Sequence, residues 1–284
     1  MAGPAPSSEP RVCPACAACG SADPIEAPLG ARCAAHDRVL VAPRALARSI
    51  GDPRLGARVG ERFDVLELRA LGGSASVYVA LDEAEGDLCA LKFACIDLGV
   101  GEDAPFSADR EVAALLTLAP QIAPNLRASA PHPATPWLAL DLVEHPSLAT
   151  LLRDGPLAPE RARAVARALV DAVARMHASG VVHGDLKPAH VLVDPSDPKT
   201  LRLVDFGSAR VLAAPIPRAC GGATPAFAAP ELGPTGVPTV ASDVFALGCV
   251  LARILADPSA PSVRLATAQA PENRPEAAAL LATL

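Results

Sequence analysis

The chain has 284 residues, enough for one sizeable core and a small extra module. It is 51% hydrophobic but only 3% aromatic, so that core must be built from Ala, Val and Leu. The formal charge of −6 argues against a nucleic acid or an anionic membrane surface as the main partner.

Residues 1–12 are rich in Pro and Ser and are expected to form a disordered leader with no signal-peptide core. Residues 13–38 hold four of the eight cysteines, spaced as C-x2-C-x2-C…C-x2-H through Cys13, Cys16, Cys19, Cys33 and His36. A closed tetrahedral zinc site needs four ligands. Gly20 after the second knuckle favours Cys16, Cys19, Cys33 and His36, with Cys13 as the alternate first ligand. Without a metal this stretch has too little apolar area to fold. Residues 39–58 are broken by Pro and Gly and read as a linker, so loss of the module should leave the rest of the fold intact.

From residue 59 the pattern is continuous. Strands are expected over 62–71 and 76–81, around a Gly72-Gly73 turn, and over 88–95. A short amphipathic helix over 107–118 carries Glu111, Leu115 and Leu118 at helical spacing. A buried strand covers 137–143. Helices follow over 158–178, 240–256 and 274–284. Cys89, Cys95 and Cys249 lie in apolar runs and read as core. The most apolar stretch, 239–256, contains Asp243 and Arg253 and is too short to span a bilayer. A cytoplasmic location is expected, where cysteines stay reduced.

Four segments carry the chemistry: VVHGDLKPAHVLVD at 181–194, LVDFG at 203–207, AAPE at 228–231 and SDVFALG at 242–248. Their order and spacing resemble the catalytic half of the eukaryotic-type serine/threonine protein kinases, found also in bacteria. The resemblance covers residues 59–284. It implies an α+β, two-lobed protein kinase fold, with a β-rich N-lobe (59–143), an α-rich, shortened C-lobe (144–284) and ATP expected between them. A small zinc-ribbon-like segment precedes it, similar to those attached to some bacterial kinases, and offers a surface for a protein partner.

The resemblance also implies roles. Asp185 matches the catalytic Asp that accepts the substrate hydroxyl proton, Lys187 the lysine that reaches the transferred phosphate, and Asp205 the Mg²⁺ ligand. Lys92 in CALKF and Glu111 in ADREVAALL match the strand-lysine and helix-glutamate pair. The chain has only three lysines, and two of them fall on motif positions. Leu140 guards the back of the nucleotide pocket, and Asp141 and Val143 offer backbone contacts to adenine. Val77, Ala90 and Leu192 wall it, and Gly72 and Gly73 belong to the phosphate loop. Arg274 should pair with Glu231, and Asp243 should brace the catalytic loop. Lys187 with Thr224 points to Ser/Thr rather than Tyr.

Three departures stand out. Ala70 and Ala75 replace two phosphate-loop glycines, adding a methyl where backbone approaches phosphate. Gly184 replaces the arginine of H-R-D and so removes the usual grip on a phosphorylated activation loop. His190 replaces the metal-binding Asn, and imidazole suits Mn²⁺ better than Mg²⁺ and titrates near neutral pH. The expected function is ATP-dependent transfer to Ser or Thr of a protein substrate. The alternatives are a pseudokinase scaffold and a small-molecule phosphotransferase.

Overall fold

The computed structural model describes residues 8–18, 23–49, 51–72, 75–94, 108–130, 136–215, 223–233 and 236–284. The chain divides into two compact units, Met1–Cys95 with Arg127–Leu142, and Ile96–Leu126 with Val143–Leu284.

In the first unit, β1 (Glu9–Arg11) pairs antiparallel with β2 (Ile25–Ala27), flanking the one-turn helix α1 (Pro14–Ala18). Part of the leader is therefore ordered. Arg11 and Val12 are buried: Arg11 Nε donates to the Ala27 carbonyl, and Val12 exchanges two backbone hydrogen bonds with Val41. Residues 39–58, read as a linker, are instead core: Val39, Val41 and Leu55 are fully buried, and α2 (Pro43–Arg48) starts on a proline, which fits a first helical turn. Isolated β-bridges at Val39 and Val41 and a six-residue helix are too short to show a period, so the stretch looks structureless in sequence.

The main sheet has six strands in the order β3 (Arg58–Val59), β4 (Phe63–Leu71), β5 (Ala75–Asp82), β6 (Asp87–Ala94), β8 (Trp137–Asp141) and β7 (Leu126–Ala130), antiparallel from β3 through β8. Alternation sorts its side chains. Tyr78, Ala80, Cys89, Leu91, Phe93 and Ala139 bury one face together with Leu55, Phe63 and Val65. The unbroken register Val77↔Lys92↔Leu138 and Val79↔Ala90↔Leu140 puts Val77, Ala90 and Lys92 on the opposite face.

The second unit contains α3 (Ala108–Thr117), α4 (Leu148–Arg153) and the long α5 (Pro159–Ala178). Two short two-residue strand pairings follow: β9 (Val181–Val182) with β12 (Arg210–Val211), and β10 (Val191–Leu192) with β11 (Arg202–Leu203). Next comes α6 (Val240–Leu255), opened by a capping box between Thr239 and Ser242. A six-residue helix, α7 (Pro261–Ala266), packs on α6, where a Cβ on Gly248 would lie 2.7 Å from that of Ala266. The last helix expected from sequence is a 3-10 segment, Ala277–Thr283. Among the described residues no helix is long and apolar enough to cross a membrane.

Candidate active site

Residues 183–190, which carry the motif aspartate and lysine, sit between β9 and β10. Asp185 is held from both sides. Lys187 Nζ donates to its Oδ2 at 2.6 Å, and the Thr224 amide and hydroxyl both donate to Oδ1 at 2.8 Å. Lys187 also donates to Thr224 Oγ1 at 2.8 Å, so the three residues close a ring. Charge-assisted bonds of this kind are the stronger class, and here they fix the carboxylate in one rotamer.

The loop beneath is anchored by Asp243 on α6. This buried carboxylate accepts the amides of His183 (2.6 Å) and Gly184 (2.9 Å), and His177 Nε2 lies 3.1 Å from its Oδ2. His177, near the end of α5, is a member of this cluster that the sequence motifs did not single out. His183 in turn donates from Nε2 to the Val204 carbonyl and lies against Phe206, with ring centroids 4.8 Å apart.

Asp205 adopts a left-handed backbone conformation, φ 66°, uncommon for a non-glycine residue and characteristic of functional sites. Phe206 behind it is fully buried, and its amide donates to Glu111 Oε1 on α3 at 3.3 Å. Glu111 is 1% exposed. In the other unit, Lys92 lies on β6 and is 4% exposed. Gly72 donates its amide to the Ala75 carbonyl, closing the β4–β5 turn, whereas Gly73 lies outside the described residues. Asp141, at the end of β8, accepts from Arg127 Nε at 2.8 Å, and Arg127 continues to Asp82 and Asp87. Arg62 and Arg127 hold Asp82 below the usual carboxylate range. Leu140 is buried, and Val143 and Leu192 are half-buried.

His190 corrects one sequence expectation. Burial pushes its imidazole down to about 4, so the ring is neutral at physiological pH rather than titrating near it. Its Nδ1 lies 2.9 Å from the Asp185 backbone carbonyl and donates to it. That leaves Nε2 as a lone pair facing Asp205 Oδ2 at 3.2 Å. The 3.2 Å separation is close to the roughly 3.0 Å between cis ligands of an octahedral ion bound at about 2.1 Å, so these two residues could hold a divalent cation.

Gly184 has φ 79°, and a Cβ there would overlap the Ser208 carbonyl oxygen and lie 3.1 Å from Pro238 Cγ. The arginine of the usual motif therefore has no room. A cavity of about 450 Å³ adjoins this point, and its described lining is Gly, Ala, Pro, Leu and Ser, with no cation. Further down, Arg274 forks Glu231 at 2.6 and 2.9 Å and also reaches the Ala241, Ala268 and Gln269 carbonyls.

The cysteine module brings Cys13, Cys16, Cys33 and His36 together, with all four ligand atoms within 4.8 Å of one another. Cys19 lies outside the described residues, and the alternate ligand Cys13 is in the group. The His36 ring and the Ala35 and His36 amides pull the Cys33 thiol down to about 6. Desolvation and the bond to Cys13 push Cys16 up to about 11.

Residues 68–269 match the protein kinase domain, and the chain belongs to the protein kinase family. It is 34% identical over 210 residues to the serine/threonine-protein kinase PknD of Mycobacterium tuberculosis, covering 72% of this chain and 31% of that protein. It is 34% identical over 205 residues to AfsK of Streptomyces coelicolor, covering 70% and 24% respectively. PkaB of the same species is 32% identical over 213 residues, covering 71% and 50%. The chain thus matches between a quarter and a half of each of these relatives.

Proposed function

We propose that the chain is an ATP-dependent serine/threonine protein kinase, transferring the γ-phosphate to hydroxyls of a protein substrate. The observation that carries this reading is the closed ring of Asp185, Lys187 and Thr224. Phosphoryl transfer needs little covalent chemistry from the protein and much positioning and charge neutralisation. Asp185, locked in one rotamer, orients the attacking hydroxyl and accepts its proton. Lys187 is the cation beside it that offsets charge on the transferred group. Lys92, Gly72, Gly73, Val77, Ala90, Asp141, Val143 and Leu192 are assigned to the nucleotide, and Glu111 to positioning.

Asp205 and His190 would hold a divalent ion, Mg²⁺ or Mn²⁺, which neutralises the phosphates when bound. The thiol cluster fits zinc. Four of its edges measure 3.8 Å (Cys16 Sγ to Cys33 Sγ), and 3.8, 3.4 and 3.7 Å (Cys13, Cys16 and Cys33 Sγ to His36 Nδ1). A regular tetrahedron with zinc bond lengths has edges of about 3.8 Å for S···S and about 3.6 Å for S···N. A thiolate site of this kind supports a reducing, cytoplasmic setting for this part of the chain.

The test is phosphorylation of a generic basic protein with labelled ATP, followed by phosphoamino-acid analysis. Label on Ser or Thr, lost in Lys92→Ala, is expected. Label on Tyr alone would refute the specificity, and no label would favour the second reading, a non-transferring scaffold suggested by Ala70, Ala75 and His190.

A further inference from the structure

The module around the thiol cluster does not stand apart from the sheet. Its own core is only Cys13, Ala27 and Leu40, with Ala15, Cys16, Ala31 and Cys33 partly buried around them. That is far too little to fold alone. What it covers is a row of the main sheet. The register Asp64↔Leu81↔Leu88 lies two residues along from Val79↔Ala90, so Leu81 and Leu88 face the same side as Val77, Ala90 and Lys92.

Asp64 and Leu81 of that row meet the module, and Leu88 packs beside Leu81 on the segments that flank it. Arg32, next to Cys33, donates Nη1 to both oxygens of Asp64 at 2.8 and 3.0 Å, and Asp64 is 0% exposed. A Cβ on Gly30 would sit 3.0 Å from Leu81 Cδ2. Leu81 and Leu88 pack on the cluster of Val12, Val39, Val41, Ala45 and Leu66. The backbone is continuous too: Cys33 bonds Arg38, Val39 bonds Gly56, and Gly56 bonds Val65 of β4. Gly56, at φ 71°, allows Val39 and Pro14 to close in, since a Cβ there would lie 2.9 Å from the Val39 carbonyl and 3.1 Å from Pro14 Cγ.

We propose that the ion held by Cys13, Cys16, Cys33 and His36 is a structural clamp of the nucleotide-binding sheet, with Arg32–Asp64 as its principal link. This rests on the zinc reading given above and goes further. Removing the metal releases the segment that covers Asp64, Leu81 and Leu88, and leaves a buried carboxylate with Arg58 as its remaining guanidinium partner among those described, at 3.0 and 3.1 Å. The sheet that carries Lys92 then opens with the module.

The test uses the full chain. Elemental analysis should give one zinc per chain, and none in a Cys16/Cys33 double serine variant. Hydrogen exchange is then read on 31–41 and on β4 and β5, with and without a chelator, alongside thermal melting. Chelation should lower the melting temperature by about 10 °C or more and raise exchange in β4 and β5 at least about tenfold. Arg32→Ala, which keeps all four ligands, should retain zinc yet raise β4 exchange in the same way. Zinc present, with exchange rising only in 8–41 after chelation, would overturn the clamp and leave the zinc reading standing. Absence of zinc in the wild type would overturn both.

Discussion

Lys187 and Thr224, 37 residues apart in sequence, share a 2.8 Å hydrogen bond while each grips a different oxygen of Asp185. The pairing makes Thr224 a positioning residue for the carboxylate. Thr224→Val keeps the shape and the backbone amide bond but deletes the hydroxyl. Loss of a hydrogen bond to a charged group costs about 1.5–3 kcal/mol, so kcat should fall about ten- to hundredfold. Thr224→Ser should restore most of it, and both variants should melt near wild type. An unchanged kcat in Thr224→Val would remove the role.

Gly184 is fixed by sterics as well as by its positive φ. Restoring the motif arginine, Gly184→Arg, should not create phosphate-dependent regulation. It should destabilise the second unit by about 2–3 kcal/mol or more, because the Ser208 carbonyl must move. Since the adjoining cavity has no cation among its described lining, phosphatase treatment of wild type should leave the rate nearly unchanged. A large drop after dephosphorylation, or a well-folded Gly184→Arg enzyme, would contradict this.

Glu231 is held below its ordinary value of 4.5 by the Arg274 guanidinium. The unfolded state therefore takes up protons first as pH falls. The pair's stabilisation is complete above about pH 4.5 and is lost progressively as pH drops through the lower folded value. Denaturant midpoints measured from pH 7 to pH 3 should show a constant gap between wild type and Glu231→Gln above about pH 5, narrowing below it. A gap that widens towards acid would reverse the assigned sign.

His190 offers a nitrogen beside the Asp205 carboxylate where the family pattern has an amide oxygen. Imidazole matches first-row transition metals better than Mg²⁺. Wild type should turn over faster with Mn²⁺ than with Mg²⁺, and His190→Asn should raise the Mg²⁺-supported kcat and shrink that ratio. Identical metal preference in both proteins would show that His190 does not contact the ion.

The motif segments were legible because each is short and contiguous, so the resemblance to the kinase family aligns Asp185, Asp205, Glu231 and Asp243 directly. The strands β4 to β6 and helices α3, α5 and α6 were legible because they are long enough to show a period. What escaped is long-range. Val39, Val41 and Leu55 lie among prolines and glycines, where no period can form, yet they are fully buried. Asp64 carries no motif in sequence, and its partner Arg32 lies 32 residues earlier in the chain. The Cys13 alternative could not be separated from Cys19 by spacing, since both leave a C-x2-C pair with Cys16. His177 carries no motif around it, and only the packing of α5 on α6 reveals its contact with Asp243.

Asp185 is expected to drive phosphoryl transfer to a hydroxyl. Asp185→Asn is nearly isosteric and retains a hydrogen-bonding group, so both proteins should fold alike. The decisive measurement is the rate of labelled-phosphate transfer to a basic protein substrate by wild type and Asp185→Asn at saturating ATP. A fall of about a hundredfold or more, with ATP affinity little changed, is the predicted result. Equal rates in the two proteins would mean that the transfer arises elsewhere and that the assigned chemistry is wrong.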